Sequence, residues 1–258
     1  MRLMKRILSA AAVLALSASL LVGCSSGTAS SVPVSASSAA ESTVSSVEET
    51  ASSAVDENEA AAAQLLNDLT GSYQELWPVI LADEYKQTWL DDCTALVGED
   101  NAEAAFEKLS SMVTGDVYGE DAVKAYANGG GAYFCGFTNS LAILTFDGET
   151  STISGTDKDG NVLFSHTYHY IGMEPVRGLY EFQSDDADSS EFTYFFLAPD
   201  TSAETYHIEF RYGSDAEALS QYDTGEYAYW LASGISTDCD QTMIDNCIEL
   251  FCTENLAG

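Results

Sequence analysis

Two hydrophobic periods divide the chain. Up to about residue 130, apolar side chains recur every three or four positions, as in Leu65, Leu66, Leu69, Tyr73 and Leu76, and again in Phe106, Leu109, Met112 and Val113. That spacing predicts helices over "AAQLLNDLTGSYQELWPVILADEYKQTWLDDCTALV" and "AEAAFEKLSSMV", with a shorter one at "GEDAVKAYA", because residues three and four apart share a helix face. After "NGGG" the period becomes two. "AYFCGFT", "LAILTF", "STISG", "NVLFSHTYHY", "GLYEFQ", "FTYFFLA" and "TYHIEFRYG" are short runs rich in aromatic and β-branched residues, and Asp-Gly pairs at Asp147 and Asp159 mark tight hairpins. Seven consecutive strands with short turns predict an antiparallel meander that curls into a barrel. "STDCDQTMIDNCIELF" then returns to a helical stripe of Ile244, Cys247, Ile248 and Phe251, with Thr237 or Asp238 as cap. The expected class is α+β, a small barrel with flanking N-terminal and C-terminal helices.

The first 62 residues are not part of that domain. The opening "MRLMKRILSAAAVLALSASLLVGC" has a basic start, an apolar run from Ile7 to Val22 and small residues before Cys24. It reads as an export signal over residues 1–23, with "LVGC" matching the lipobox that directs lipidation of Cys24. Residues 24–62 are Ser, Ala, Thr, Val and Glu with almost nothing aromatic. Such a stretch cannot bury enough apolar surface to fold, and as a coil it forms a tether spanning about 35 Å. The folded domain is expected over 63–258. These features imply an extracytoplasmic protein held at the cell membrane by its lipid.

Charge narrows the partners. The sequence has 41 acidic and nine basic residues, and the signal removes three of the bases, leaving Lys86, Lys108, Lys124, Lys158, Arg177 and Arg211. Nucleic acid is excluded as a partner, since a phosphate backbone is held by clustered Lys and Arg. The five cysteines after Cys24 are Cys93, Cys135, Cys239, Cys247 and Cys252, an odd set that cannot all pair within one chain. Either a disulfide such as Cys93 to Cys135 forms or the thiols stay reduced and buried.

Candidate chemistry centres on "ETYHIEFRYGSD". On a strand, Thr205, His207, Glu209 and Arg211 share one face, and Tyr206, Ile208, Phe210 and Tyr212 the other. His207 and Glu209 can therefore approach one ion together, against the simpler reading of a polar wall with Arg211 as ion-pair neighbour. His166 shares its face with Phe164, Tyr168 and Tyr170, whereas His169 shares the opposite face with Leu163, Ser165 and Thr167. His166 reads as a core ring satisfied by a tyrosine, and His169 is the better donor. "DKDGN" at Asp157 lacks the length and third Asp/Asn of a calcium loop and reads as a turn. No GxSxG, HExxH, phosphate loop or dinucleotide fingerprint is present in the sequence, so the expectation is a binding protein and not an enzyme.

"LNDLTGSYQELWPVI", with Gly71, Gln74 and Pro78, and "PVRGLYEFQ…EFTYFFLAPDTSAETYHIEFRYGSD" resemble the opening helix and strand set of the ZinT (YodA) family. The resemblance covers nearly all of the expected domain. It implies a lipocalin-like (calycin) barrel that binds zinc through three histidines, one placed three residues before an Ala-Pro pair and two in an HxH pair on the next strand. Ala198 and Pro199 put Phe195 at the first position, and Thr205 and His207 at the other two. Only His207 keeps a ligand, so the expected site is degenerate: His207 first, Glu209 second, with His169 or Glu204 completing the shell. The resulting expectation is a lipid-anchored domain that captures or delivers zinc or another divalent metal, in company with a metal permease complex. The alternatives are a lipocalin-like binder of a small apolar ligand and a surface scaffold that has lost its metal.

Overall fold

The computed structural model describes residues 57–198 and 207–257. The expected signal, Cys24, most of the tether, and Glu204 and Thr205 lie outside the described residues. Eight strands form a closed barrel: β1 (Gly71–Glu75), β2 (Ile143–Asp147), β3 (Thr152–Thr156), β4 (Val162–Met173), β5 (Tyr180–Ser184), β6 (Tyr194–Leu197), β7 (His207–Gly213) and β8 (Ala232–Ser236). Each is antiparallel to the next, and β8 pairs with β1 to complete the ring. Closure leaves no free sheet edge. The helices are α1 (57–68), α2 (Leu76–Ile80), α3 (Lys86–Val97), α4 (Glu99–Met112), α5 (Glu120–Ala127), α6 (Ala216–Leu219) and α7 (Gln241–Leu256). The α+β barrel with flanking helices is as the hydrophobic periods predict.

Three elements differ from that reading. Gly71–Glu75 is a strand between two helices, not the middle of one long helix. Gly71 takes φ 146°, a conformation L side chains avoid, so the helical path stops there and Tyr73 turns into the barrel against Phe146. Conversely, "AYFCGFT" is not a strand: Phe134 makes only single bridges to Thr114 and Trp230. The segment is held by side chains instead, with the Phe137 N–H donating to Glu75 Oε1 at 2.6 Å, the Thr138 N–H to the Tyr212 hydroxyl at 2.6 Å, and the Trp230 indole to the Gly136 carbonyl at 2.9 Å. The eighth strand, "ASGIS", is too small-sided to announce itself. A Cβ on Gly234 would stand 3.2 Å from Ile208 and 3.3 Å from Phe137, so β8 is small because the barrel is tight there.

Both mouths of the barrel are plugged. α1 carries Ala62, Leu65 and Leu66, followed by Leu69, into the same apolar cluster as Tyr73 and Phe146. It rests where β1 begins and β2 ends, since a Cβ on Gly148 would lie 2.4 Å from the Asn67 Cα. Helical structure is thus already present at residue 57, ahead of the boundary that composition suggests. Across the other mouth, Phe137 packs on Phe210 and Trp230 on Tyr212, with ring centroids 5.3 and 5.0 Å apart. Between the plugs the interior is aromatic: Phe146, Phe182, Phe195, Phe210 and Tyr212 are all buried to 1% exposure or less. The Asp-Gly hairpins form as expected, and the Asp157 carboxylate is used by its own turn, accepting from the Asp159 and Asn161 backbone at 2.9 and 2.8 Å.

A second core lies outside the barrel. Trp77 and Ile80 of α2, Trp89 and Cys93 of α3, Leu109 of α4, and Ile244, Ile248 and Cys252 of α7 pack together with Ile235, which β8 turns outward. The α7 stripe is the expected one, but its cap is Asp240, whose carboxylate accepts from the Met243 N–H at 3.0 Å. Asp240 wins over Thr237 and Asp238 because it alone stands extended immediately before the first helical turn.

Two outcomes test this architecture. Phe195→Ala removes a ring packed between Phe164, Tyr168, Phe210 and Tyr212 and is expected to cost about 3–5 kcal/mol in chemical denaturation. At the α3–α7 seam, burial first, and then the charges of Glu249, Asp245 and Asp91, raise Asp92 above the ordinary 3.8. Ionised Asp92 therefore penalises the folded state, a penalty absent below 3.8 and complete above the raised value. Asp92→Asn is expected to raise the thermal midpoint at pH 7, with the gain fading as pH falls toward the ordinary carboxylate value.

Candidate functional site

The alternation expected on β7 is the one found. Ile208, Phe210 and Tyr212 point into the barrel and are fully buried, while His207 is half-buried and Glu209 exposed on the outer face. His207 stands opposite Ile235 and Glu209 opposite Ser233 of β8. His207 therefore borders the helical core, and Glu209 borders the segment that crosses the barrel mouth. Two residues apart on a strand places their Cα atoms about 7 Å from each other on one side, a span across which an imidazole and a carboxylate converge on one ion.

The third residue of that face has a different use. Arg211 is fully buried, and its guanidinium donates to the carbonyls of Leu219, Gln221 and Tyr227 while lying 4.3 Å over the Tyr222 ring. Burial lowers its pKa, opposed by Tyr222. Arg177 lies over the same ring at 4.4 Å. Glu174, also buried, accepts from the Val176 and Arg177 N–H groups at 2.7 Å each and from the Tyr222 hydroxyl at 3.4 Å. Arg211 is thus a tie between β7 and the 219–227 segment, and its charge is directed to carbonyls and a ring. Sequence reasoning finds neither Glu174 nor Tyr222, because their pairing joins positions 48 residues apart.

Of the other expected donors, His169 is not brought to the site. It stands opposite Gln183, Gln183 opposite Tyr194, and Tyr194 opposite Gly213. That puts it two intervening strands away from β7 and six residues along from His207, an offset of about 20 Å. Its Nδ1 meets Asp185 Oδ1 at 2.6 Å instead. His166 faces inward near a barrel end and pairs with Asp186 at 2.9 Å, so its partner is a carboxylate and not the tyrosine expected. Among the described residues no three His, Cys, Asp or Glu side chains gather in a metal-holding group.

Of the triad implied by the family resemblance, the two described positions point to opposite faces of the sheet. Phe195 is opposite Tyr212 and points inward with 0% exposure, whereas His207 is on the outer face. The first family position is occupied by packing, and a donor there would face away from His207. Packed rings occupy the barrel interior, where an apolar ligand would sit. A cleft of about 340 Å³ does exist, but outside it, lined by Trp77, Pro78, Leu81, Val113, Phe134 and Cys135 among others. Cys135 adjoins Glu209: burial first, then the Glu209 charge, push its thiol up to about 12, against the weaker pull of Ser233 and Trp77.

No protein-family model matches the chain, and no curated protein matches it. Solved structures similar to the chain include two of one protein. The Zn(II)-bound ZinT-like domain of Streptococcus pneumoniae AdcA matches at 16% identity and a TM-score of 0.45, over 71% of this chain and 89% of that one. Zn(II)-bound AdcA from Streptococcus pneumoniae matches at 13% identity and a TM-score of 0.43, over 72% of this chain and 35% of that one. At such identities no ligand is carried from one chain to the other.

The surroundings of Cys135 predict its reactivity. With the thiol buried and its pKa near 12, alkylation of the native protein is expected to label half-exposed Cys239 well before Cys135. Cys135 becomes fully reactive only in denaturant, as peptide mapping after timed iodoacetamide exposure would show.

Proposed function

We propose that this chain is a lipid-anchored, extracytoplasmic domain that binds a divalent metal ion, zinc first among them, on the outer face of β7. The observation that carries the reading is the β7 register. It holds His207 and Glu209 two residues apart on one side of the strand, with half-buried His207 opposite Ile235 and exposed Glu209 opposite Ser233. Imidazole with carboxylate suits zinc. Glu204, a donor expected from the sequence, lies outside the described residues, and water would complete the shell. His169 is removed from the ligand set because it lies about 20 Å away along the sheet. A large excess of carboxylates over bases raises the local concentration of cations without selecting one.

So sparse a ligand set supports capture and release more than permanent storage, in keeping with delivery to a permease at the same membrane. The N-terminal "LVGC" and Ser/Ala-rich stretch support an anchor and a tether for that purpose. The absence of recognised catalytic motifs in the sequence supports a binding role over an enzymatic one.

Zinc titration of the chelator-stripped protein by calorimetry, with metal analysis after dialysis, tests this. One zinc per chain is expected, with affinity falling by about tenfold or more in His207→Ala and less in Glu209→Gln. His169→Ala and Cys135→Ser should bind as the parent does. A parent that retains no zinc, or a His207→Ala variant that binds it equally well, would overturn the site.

A further inference from the structure

The helical core outside the barrel contains two thiols that sequence spacing does not pair. Cys93 lies on α3 and Cys252 on α7, 159 residues apart in the chain, yet their Sγ atoms are 3.9 Å apart. Both side chains are fully buried among Trp89, Leu109 and Ile248. A disulfide holds its sulfurs about 2.05 Å apart, so these two must close the remaining gap as the bond forms. The Cys135 thiol is directed elsewhere, toward the Tyr133 carbonyl at 3.9 Å. The pair also sits beneath the seam where Asp92 meets Asp245 and Glu249 across α3 and α7, a place where like charges push the two helices apart.

We propose that Cys93 and Cys252 form a disulfide that staples α7 to α3 when the protein folds in the presence of a disulfide donor. The donor is a small-molecule disulfide or the active-site disulfide of a thiol oxidoreductase. One cysteine, as thiolate, attacks a donor sulfur, the donor S–S bond breaks, and a mixed disulfide forms as the first donor thiol leaves with a proton. The second cysteine, also as thiolate, then attacks the protein sulfur of that mixed disulfide. The Cys93–Cys252 bond forms and the second donor thiol leaves. Two protein thiols are oxidised by two electrons, and one donor disulfide is reduced to two thiols.

Burial sets when this happens. Exclusion from solvent raises both thiols above the ordinary cysteine range, and a buried, protonated sulfur is a poor nucleophile. The bond therefore forms while α7 is docking, or whenever α7 lifts, and once formed is shielded from reductants.

The full chain, unfolded and reduced, is refolded in a buffer of oxidised and reduced glutathione, quenched with an alkylating agent in denaturant and mapped by peptide mass spectrometry. The expected product is a Cys93 peptide joined to the Cys252 peptide, two hydrogens lighter than the separate pair and released by reductant. The oxidised protein should melt higher than the reduced one by about 5 °C or more, and the midpoint of Cys252→Ala should not respond to reductant. Recovery of both cysteines in alkylated form from the oxidised, folded sample, or a bridge from either to another cysteine, would overturn the proposal. Because the readout is a covalent map of the parent chain, it stands or falls independently of zinc binding.

Discussion

Alternation along a strand binds the inside of this barrel to its outside. Once Phe210 and Tyr212 are committed to the interior, His207, Glu209 and Arg211 have no choice but the outer wall. The commitment is strong because the interior has little slack: Phe195 alone meets four other rings. Sliding β7 by one residue would drive Arg211 into that aromatic interior and strip it of the carbonyls that satisfy it. The packing of hydrocarbon rings thus decides which polar groups meet solvent, and where chemistry can occur.

The outer wall is itself divided. Around Ile235 the helices α2, α3, α4 and α7 build a second apolar core, whereas around Arg211 the 219–227 segment is fastened by carbonyls and a tyrosine. His207 and Glu209 lie between these two coverings, the part of the face left accessible.

Much of this was legible in the sequence, and the exceptions have physical causes. The change of period after "NGGG" locates the strands from Leu141 to Gly213, and the α7 stripe reads directly from Ile244, Cys247 and Ile248. Gly71–Glu75 was hidden because Leu76 and Tyr73 fit a helical spacing as well as a strand, and only the backbone at Gly71 decides between them. β8 was hidden because its positions are kept small by neighbours distant in sequence. The two faces of β7 were readable to the residue. The distance from His169 to His207 was not, since it depends on the order and stagger of β4 through β7, which no local pattern encodes. The Cys93–Cys252 contact was invisible for the same reason.

Gly234 illustrates how unevenly the chain is free to vary. Its missing side chain lets Ile208 and Phe137 meet across the wall, so even the smallest addition there would propagate into the plug of one mouth. Val162 and Leu163, on the outer part of β4, are open to solvent at 70% and 37%, and their identities bear on nothing beyond themselves. Over evolutionary time, drift in this lineage would accumulate at the exposed start of β4 while Gly234 stayed fixed, and two descendants could lose nearly all overall likeness yet still share a run of small residues beside one glycine.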